Sequence, residues 1–561
     1  MNARFIRISS LIAATAWLGF ALFSTALPAA EPPALVVVIS LDQFRADYLE
    51  RFRQHFSPGG FNLLLEHGAN FVDCHYRHSN TKTGPGHAVM LTGVHANIHG
   101  IIGNDWIDRD TFTQVSCVGD TSVQVVGLPP SSAPRLPGVE DPWLPRSPRN
   151  LLVTTVGDEL KLARGGRPKV IGISNKHRAA ILMSGKMADA AYFIERGLMI
   201  TSTYYMADLP GWVKQWNAAG KTDAYFGKMW DRLLPAAAYE IQGPDDAPGE
   251  DDQTGHLGRT LPKTITGGAD KPGQAFYDAF ENTPFSNDVL ADFTETAIEQ
   301  ENLGGRPGIT DILCVSFSAN DHAGHLYGPD SHEVMDMVVR TDRTLEHFFQ
   351  FIDRRIGLQH CLIVLTADHG VSPMPERIHA LSPEVPAGRI DGAKLLATCE
   401  AALNEAFGPL SDRSRWLVRD DASLLVFPTA LKEKNVAAAA VQNVVRAALL
   451  NLDFVQAAYT RDQLERGAVS DELGRRALLS FNAARSGDVF YQAKPYFFSR
   501  AIGSNHGTPY NYDTHVPLLW LGAGVKAGVH PERVGVDDLA PTLAHLLGLP
   551  APPRSEGRVL F

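Results

Sequence analysis

The chain has 561 residues, of which 44% are hydrophobic, so it can bury a large core and is not intrinsically disordered. Its formal net charge of −11 is spread without long runs of like charge, and no Lys/Arg cluster is interleaved with aromatics, which excludes the electrostatic signature of a nucleic-acid-binding protein. The five cysteines are too few for a disulfide scaffold and lack CxxC spacing, which argues against a thiolate zinc site.

The first 30 residues have the layout of a secretory signal peptide. Arg4 and Arg7 precede an apolar run, residues 11–27, which small residues follow. An N-terminal membrane anchor is the alternative, but Ser and Thr interrupt the run, which is also near the lower length limit for a bilayer span. We predict a mature chain of residues 31–561 that is periplasmic or secreted, has no stable membrane insertion and has room for one or two disulfide bonds.

Four short apolar runs, residues 35–39, 312–317, 362–365 and 516–521, predict buried parallel strands. Between the second and third runs, apolar residues recur at helical spacing after Ser331, which predicts a βαβ unit. A second helical stretch leads into the strand at 312. Together these elements predict an α/β fold with a doubly wound, mostly parallel sheet flanked by helices.

The stretch SNTKTGPGHAVMLTG, residues 79–93, places Thr83 in a Gly-Pro-Gly turn where an amphipathic helix is predicted to begin. A helix start presents unpaired N–H groups and a positive dipole end, so a hydroxyl held there can face a bound phosphate and approach its alkoxide form. Thr83 is therefore a candidate nucleophile, although a lone Thr in this setting is more often an N-cap. We interpret the nearby His87 and His99 as packing or hydrogen-bonding residues.

Two segments that are rich in turn-forming residues, about 107–150 and 235–275, are predicted surface insertions. Residues 372–495, which we name the cap segment, contain a helical Ala-rich run at 436–450. They also contain a predicted hairpin, in which residues 416–418 and 424–427 flank the sequence RDDAS. We predict that the cap segment is an insertion that borders the functional site.

Acids and imidazoles follow the first three predicted strands and precede the fourth. Because ligands collect beyond the carboxyl ends of strands in open α/β sheets, we expect these groups to converge. A catalytic Zn²⁺ takes three such ligands and leaves a position open, so six groups suit two divalent cations. In the DxxxH motif, a loop is expected to return the histidine toward the ion that the aspartate binds. The six residues are Asp42, Asp321, His325, Asp368, His369 and His506.

The order of these motifs resembles the alkaline phosphatase superfamily, and within it the single-chain bacterial phosphatases with a Thr nucleophile, which are related to the type I phosphodiesterases/nucleotide pyrophosphatases. The resemblance covers essentially the whole predicted mature chain. It rests on LDQFR, TKTGPGHAVMLTG, HGIIGNDW, ISNKHRAAIL, SANDHAGH, TADHG and NHGTPYNYDTHVPLLWLG. It implies an exported, metal-dependent alkaline phosphatase that binds two Zn²⁺ per chain and hydrolyses phosphate monoesters through a phosphothreonine intermediate.

The resemblance also implies how the metal ligands divide. One zinc would be held by Asp42, Asp368 and His369, with the Thr83 oxygen as the fourth ligand. The other would be held by Asp321, His325 and His506. Two such ions clamp an in-line displacement from both sides.

Three further residues are implied to act on the transferred phosphoryl group. Asn104 would donate a hydrogen bond to a non-bridging oxygen. Lys176 and Arg178 would place two cations over that group, which favours the dianion of a monoester over the monoanion of a diester. His177 departs from the family pattern, in which an acid is expected between the two basic residues.

Other functions stay open at this point. A phosphodiesterase or nucleotide pyrophosphatase would use the same metals, but Lys176 and Arg178 argue against it. A sulfatase would need Cys or Ser in a CxPxR context, a manganese mutase would need a Ser nucleophile, and a binding protein would lack turnover. The predicted partners are small-molecule phosphate esters and not nucleic acids, and the sequence leaves the oligomeric state open.

Overall fold

A ten-stranded sheet forms the centre of the fold in the computed structural model, which describes residues 32–129, 144–412 and 414–561. The predicted signal peptide lies outside the described residues. The strands follow one another across the sheet in the order Gly528–His530, Ala69–Phe71, Leu518–Gly522, Cys361–Thr366, Leu35–Leu41, Asp311–Phe317, Val170–Ser174, Ala190–Glu195, Leu198–Ser202 and Val125–Val126.

The five strands from Cys361–Thr366 to Ala190–Glu195 are parallel, which confirms the predicted α/β class and its mostly parallel sheet. The three predicted strands among them are buried along their whole length, as expected for parallel strands covered on both faces. The direction predicted for the fourth run is wrong. Leu518–Gly522 pairs antiparallel with Cys361–Thr366. An apolar run indicates that a strand is buried on both faces. The direction of the strand depends on how the chain connects it to its neighbours, and the residues of the run do not indicate this.

Helices connect and flank these strands. The longest, His332–Arg355, begins where the Ser331 hydroxyl accepts a hydrogen bond from the Val334 N–H at 3.1 Å, and it forms the predicted βαβ unit. Its two strands lie on either side of Leu35–Leu41 in the sheet. Other helices of seven residues or more outside the cap segment are Phe61–His67, Thr83–Thr92, Val156–Ala163, His177–Ser184, Gly211–Ala218, Gln274–Glu281, Phe285–Gln300, Ala319–Tyr327 and Leu539–Leu546.

The helix that begins at Thr83 is buried on every side, so the prediction of an amphipathic helix is wrong. Small residues allow this burial. A Cβ added to Gly86 would lie 2.3 Å from the Asp368 carbonyl oxygen, a distance that only glycine permits. The start of the helix therefore packs directly against Asp368, the second residue after the Cys361–Thr366 strand.

A second local difference concerns the DxxxH motif. Asp321 and His325 lie on the helix Ala319–Tyr327, not on a loop. Their spacing of four residues places both side chains on one face of that helix, which achieves the expected convergence by a different route.

The cap segment contains a second, antiparallel sheet with its own hydrophobic core. The predicted hairpin is confirmed as Leu417–Asp420 paired with Ser423–Val426. Ser480 contacts the loop that precedes Thr83, because its Oγ accepts hydrogen bonds from the backbone N–H groups of Ser79 and Asn80 at 2.9 and 3.1 Å. The remaining elements are the strands Gly388–Arg389, Val455–Thr460 and Val489–Ala493 and the helices Pro375–Leu381, Gly392–Phe407, Pro428–Lys434, Ala438–Leu450, Arg461–Glu465 and Glu472–Ser480.

The first predicted insertion contains the strand Gln114–Ser116, which pairs with Asp105–Ile107, and an edge strand of the main sheet, while residues 130–143 lie outside the described part. All five cysteines are described and buried, and none forms a disulfide bond. The part of the chain that the structure describes contains no helix with the length and hydropathy of a bilayer span.

Candidate active site

The predicted metal-ligand residues converge at the carboxyl ends of the central parallel strands. Asp42 directly follows Leu35–Leu41, and Asp368 and His369 follow Cys361–Thr366, which pairs with it. The three side chains are fully buried, and one ligand atom from each lies within 4.8 Å of the other two. Adjacent parallel strands thus deliver three potential ligands to one point.

A second group forms around Asp321, whose Oδ1 lies 3.3 Å from His325 Nε2 and 3.6 Å from His506 Nε2. His369 also approaches this group, because ligand atoms of Asp321, His369 and His506 lie within 4.8 Å of one another. The His369 and His506 rings are stacked, with centroids 3.6 Å apart and an interplanar angle of 13°. The two groups are therefore contiguous.

The hydrogen bonds of the three imidazoles leave the same nitrogen available in each ring. The Nδ1 atoms of His325, His369 and His506 lie 2.9, 2.9 and 2.8 Å from backbone carbonyl oxygens of Ser504, Gly370 and Thr81. A carbonyl oxygen only accepts, so each Nδ1 carries the proton and each Nε2 carries a lone pair. This is how metal-binding histidines are oriented in proteins. Burial lowers the pKa of all three rings, that of His325 to about 4, which keeps them neutral.

The buried carboxylates of the site have too few hydrogen-bond donors and too little positive charge around them. Burial, followed by the charges of Asp321 and Asp368, raises the pKa of Asp42 well above its usual value. Lys176 Nζ lies 2.7 Å from Asp42 Oδ2 and also contacts Asp321. This ammonium contacts two of the three carboxylates, and within the described residues Asp42 Oδ1 and His369 Nε2 have no hydrogen-bond partner. Buried acceptors of this kind are costly unless a cation satisfies them, so the residues fit divalent metal ions.

Asp321 has the opposite shift. Burial alone would raise its pKa, but His325, Lys176 and His506 outweigh this effect and hold the pKa well below its usual value. Its carboxylate is therefore ionised; it pairs with the Lys176 ammonium and lies beside the Nε2 atoms of His325 and His506.

Thr83 is the first residue of its helix and is 1% exposed. The next N–H group, from Gly84, donates to Asn104 Oδ1 at 2.7 Å. This bond orients the Asn104 amide and leaves its Nδ2 as a donor for another group. Lys176 is the N-cap of the helix His177–Ser184, and Arg178 is its half-buried second residue.

One residue in the motifs, Gln43, has a structural role that the sequence did not assign. Gln43 joins the two groups, because its Nε2 donates to Asp321 Oδ1 at 2.7 Å and its backbone N–H donates to Asp368 Oδ1 at 3.1 Å. Its φ of 62° is in the left-handed region, which aims both donors inward. In the sequence, the indication of this role was the position of Gln43 directly after Asp42.

His87 lies one helical turn after Thr83 and makes the hydrogen bonds that its sequence position predicted. Its Nδ1 donates to the Thr83 carbonyl oxygen at 2.8 Å and lies 3.3 Å from Asp368 Oδ2. Its Nε2 lies 3.0 Å from Ser316 Oγ. One fully buried ring therefore connects the helix that begins at Thr83 to an aspartate of the first group.

A third group, Asp73, His75 and His515, has ligand atoms within 4.8 Å of one another. Its two rings are stacked with centroids 4.5 Å apart and an interplanar angle of 9°. Both ring nitrogens of His75 already have partners, because Nε2 lies 2.8 Å from Asp73 Oδ1 and Nδ1 lies 3.1 Å from Thr514 Oγ1. His515 Nε2 lies 2.8 Å from the Val72 carbonyl oxygen. This group therefore differs from the site above, where the hydrogen bonds leave the Nε2 atom of each histidine available.

The fold and the site define the class of the protein. The family model of the type I phosphodiesterases/nucleotide pyrophosphatases matches residues 36–390, and the chain belongs to this family, which confirms the family predicted from the motifs.

Within it, the chain is homologous along its length to bacterial alkaline phosphatases. It is 34% identical to alkaline phosphatase PhoV of Synechococcus elongatus over 94% of this chain and 92% of that protein. It is 31% identical to alkaline phosphatase PafA of Elizabethkingia meningoseptica, over 94% and 93%. The crystal structure of wild-type PafA superimposes with a TM-score of 0.85 at 30% identity, covering 95% of this chain and 99% of that one.

Proposed function

We propose that the protein is an exported, metal-dependent alkaline phosphatase that hydrolyses phosphate monoesters through a phosphothreonine intermediate at a two-zinc site. One observation carries this proposal: two buried histidines and the partly buried His325, each with its Nδ1–H on a backbone carbonyl, present Nε2 to three buried aspartates beside a helix that begins at Thr83. Full-length similarity to PhoV and PafA supports the same activity.

The ring stacking supports the division of the ligands between two ions. Because His369 and His506 are stacked nearly parallel, their in-plane lone pairs point to separate positions. His369 would then bind the ion held with Asp42, Asp368 and the Thr83 oxygen. His506 would bind the ion held with Asp321 and His325, two residues that lie one helical turn apart. When bound, the two cations would lower the pKa of the Thr83 hydroxyl and of water and stabilise the charge on the leaving oxygen.

The residues of the chain then have the following roles. The Thr83 oxygen attacks phosphorus, the bond to the ester oxygen breaks, and the alcohol leaves with a proton. Water attacks the phosphothreonine, releases inorganic phosphate and restores the Thr83 hydroxyl. Asn104 Nδ2 donates to a non-bridging oxygen, while Lys176 and Arg178 balance the remaining negative charge of a monoester.

Hydrolysis of p-nitrophenyl phosphate and of its bis ester tests this function. We expect the zinc-loaded protein to have the larger kcat/KM for the monoester, and we expect chelation of the metal to remove the activity. A preference for the bis ester would assign the protein to the phosphodiesterases instead. A zinc-loaded protein that released no phosphate would be a binding protein.

His87 provides a prediction about metal affinity. Loss of its hydrogen bond to the Thr83 carbonyl and of its contact with Asp368 should loosen the first group of ligands. We expect His87→Ala to weaken binding of one zinc by about 10- to 100-fold, a typical effect of removing a residue that orients a ligand. Zinc retention in a chelator-buffered series measures it. His87→Asn, whose amide nitrogen can replace Nδ1, should show an intermediate affinity, and an unchanged affinity in the alanine variant would refute the role.

A further inference from the structure

A cleft opens beside the proposed phosphate-binding residues. It lies between the segment that leads into Asn104 and the tip of the hairpin formed by Leu417–Asp420 and Ser423–Val426 in the cap segment. Its charged lining consists of three carboxylates, and no Lys or Arg lines it in the described part of the chain. Three large apolar side chains also line it, together with smaller uncharged residues. The carboxylates are those of Asp105, Asp420 and Asp421, and the apolar residues are Ile102, Phe481 and Phe490.

The cleft is bounded by segments that carry active-site residues. Asn80, on its wall, donates from Nδ2 to the Ile102 carbonyl at 2.6 Å, and Gly103 and Asp105 enclose Asn104 in the chain. A Cβ added to Gly507, which follows His506, would lie 3.7 Å from Asn80 Oδ1. An alcohol attached to a phosphate between Asn104 and His506 would therefore have this cleft next to it.

The hairpin tip is held at this position by an ion pair. Asp421 Oδ2 lies 2.5 Å from Nζ of Lys82, the residue directly before Thr83. The Lys82 stem passes close to Gly507, where an added Cβ would lie 3.1 Å from Cε. Asp421 thus neutralises the cation nearest in sequence to the nucleophile and keeps it from pairing with a substrate.

The local field in the cleft is negative. Burial, followed by the charges of Asp421 and with a further contribution from Asp105, raises the pKa of Asp420 to about 7. Asp105 and Asp421 are exposed at the rim. An additional negative charge on the alcohol part of a substrate would meet these carboxylates at short range, whereas a neutral or positive alcohol would not.

We propose that this cleft receives the leaving group and that its carboxylates select phosphate esters of uncharged or cationic alcohols over esters whose alcohol carries further negative charge. The proposal rests on the phosphomonoesterase function proposed above.

The test compares 2-aminoethyl phosphate with phosphoglycolate, whose leaving groups are similar in size and opposite in charge. Asp421→Asn removes one negative charge and releases Lys82, and asparagine tolerates the positive φ of 47° at this turn. We expect the ratio of kcat/KM for phosphoglycolate to that for 2-aminoethyl phosphate to rise about five- to tenfold, and less at high ionic strength. Asp105→Asn should change the ratio in the same direction.

Asp453→Asn is the matched control, because it removes a negative charge from an exposed position elsewhere in the cap segment. Its ratio should equal that of the wild type. An unchanged ratio in both rim variants, or an equal rise in the control, would overturn the proposal. If the wild type hydrolysed neither these esters nor p-nitrophenyl phosphate, the proposed function would fail independently of the cleft. The ratio of calorimetric dissociation constants for the two esters in the same variants would then decide whether the cleft selects by charge.

Discussion

Thr83→Ala is expected to abolish turnover of p-nitrophenyl phosphate, with kcat reduced by at least about 10⁴-fold, because the chain would lose the only oxygen proposed to attack phosphorus. The six Asp and His side chains stay in place, so the zinc content should remain near that of the wild type. Steady-state kinetics with elemental analysis of the same samples measures both quantities.

Thr83→Ser is the matched control, because it keeps the hydroxyl and removes one methyl group. It should retain measurable turnover and form a phosphoserine that mass spectrometry detects after acid quenching. Full activity in Thr83→Ala would eliminate the covalent step, and loss of zinc from it would show that the variant disturbs the metal groups.

Replacing Lys176 and Arg178 together by alanine is expected to reduce kcat/KM for the monoester by about 10³-fold, on the scale of removing oxyanion donors. The diester should lose much less, since it carries one negative charge fewer. The ratio of kcat/KM for p-nitrophenyl phosphate to kcat/KM for its bis ester should therefore fall.

Lys526→Ala, a change at an exposed lysine, controls for the loss of positive charge and should leave the ratio unchanged. Lys176 contacts Asp42 and Asp321, so the zinc content of the double variant must be measured before the kinetics are interpreted. An equal loss for both esters at full zinc content would contradict the role in monoester preference.

The acids at the strand ends were predictable from sequence, because an apolar run and the carboxylate that follows it are neighbours in the chain. The apolar runs before Asp42 and Asp368 indicate strands covered on both faces, and a carboxylate directly after such a strand has to lie at its carboxyl end. Parallel neighbours then bring these acids together, as the structure shows. The other predicted site residues came from the resemblance of the motifs to the family.

Features that depend on distant contacts were not predictable. The direction of Leu518–Gly522 follows from the path of the chain and not from its own residues. The burial of the Thr83 helix depends on the Asp368 backbone against which Gly86 packs. The inward donors of Gln43 require a backbone conformation that its residue type does not indicate.

The central claim is that acids and imidazoles from distant parts of the chain hold two cations beside the Thr83 oxygen. Anomalous diffraction at the zinc edge from crystals of the zinc-loaded protein tests it most directly. We predict two peaks roughly 4 Å apart, one against Asp42, Asp368 and His369 and the other against Asp321, His325 and His506. A single peak, or zinc bound only at Asp73, His75 and His515, would contradict the two-metal account.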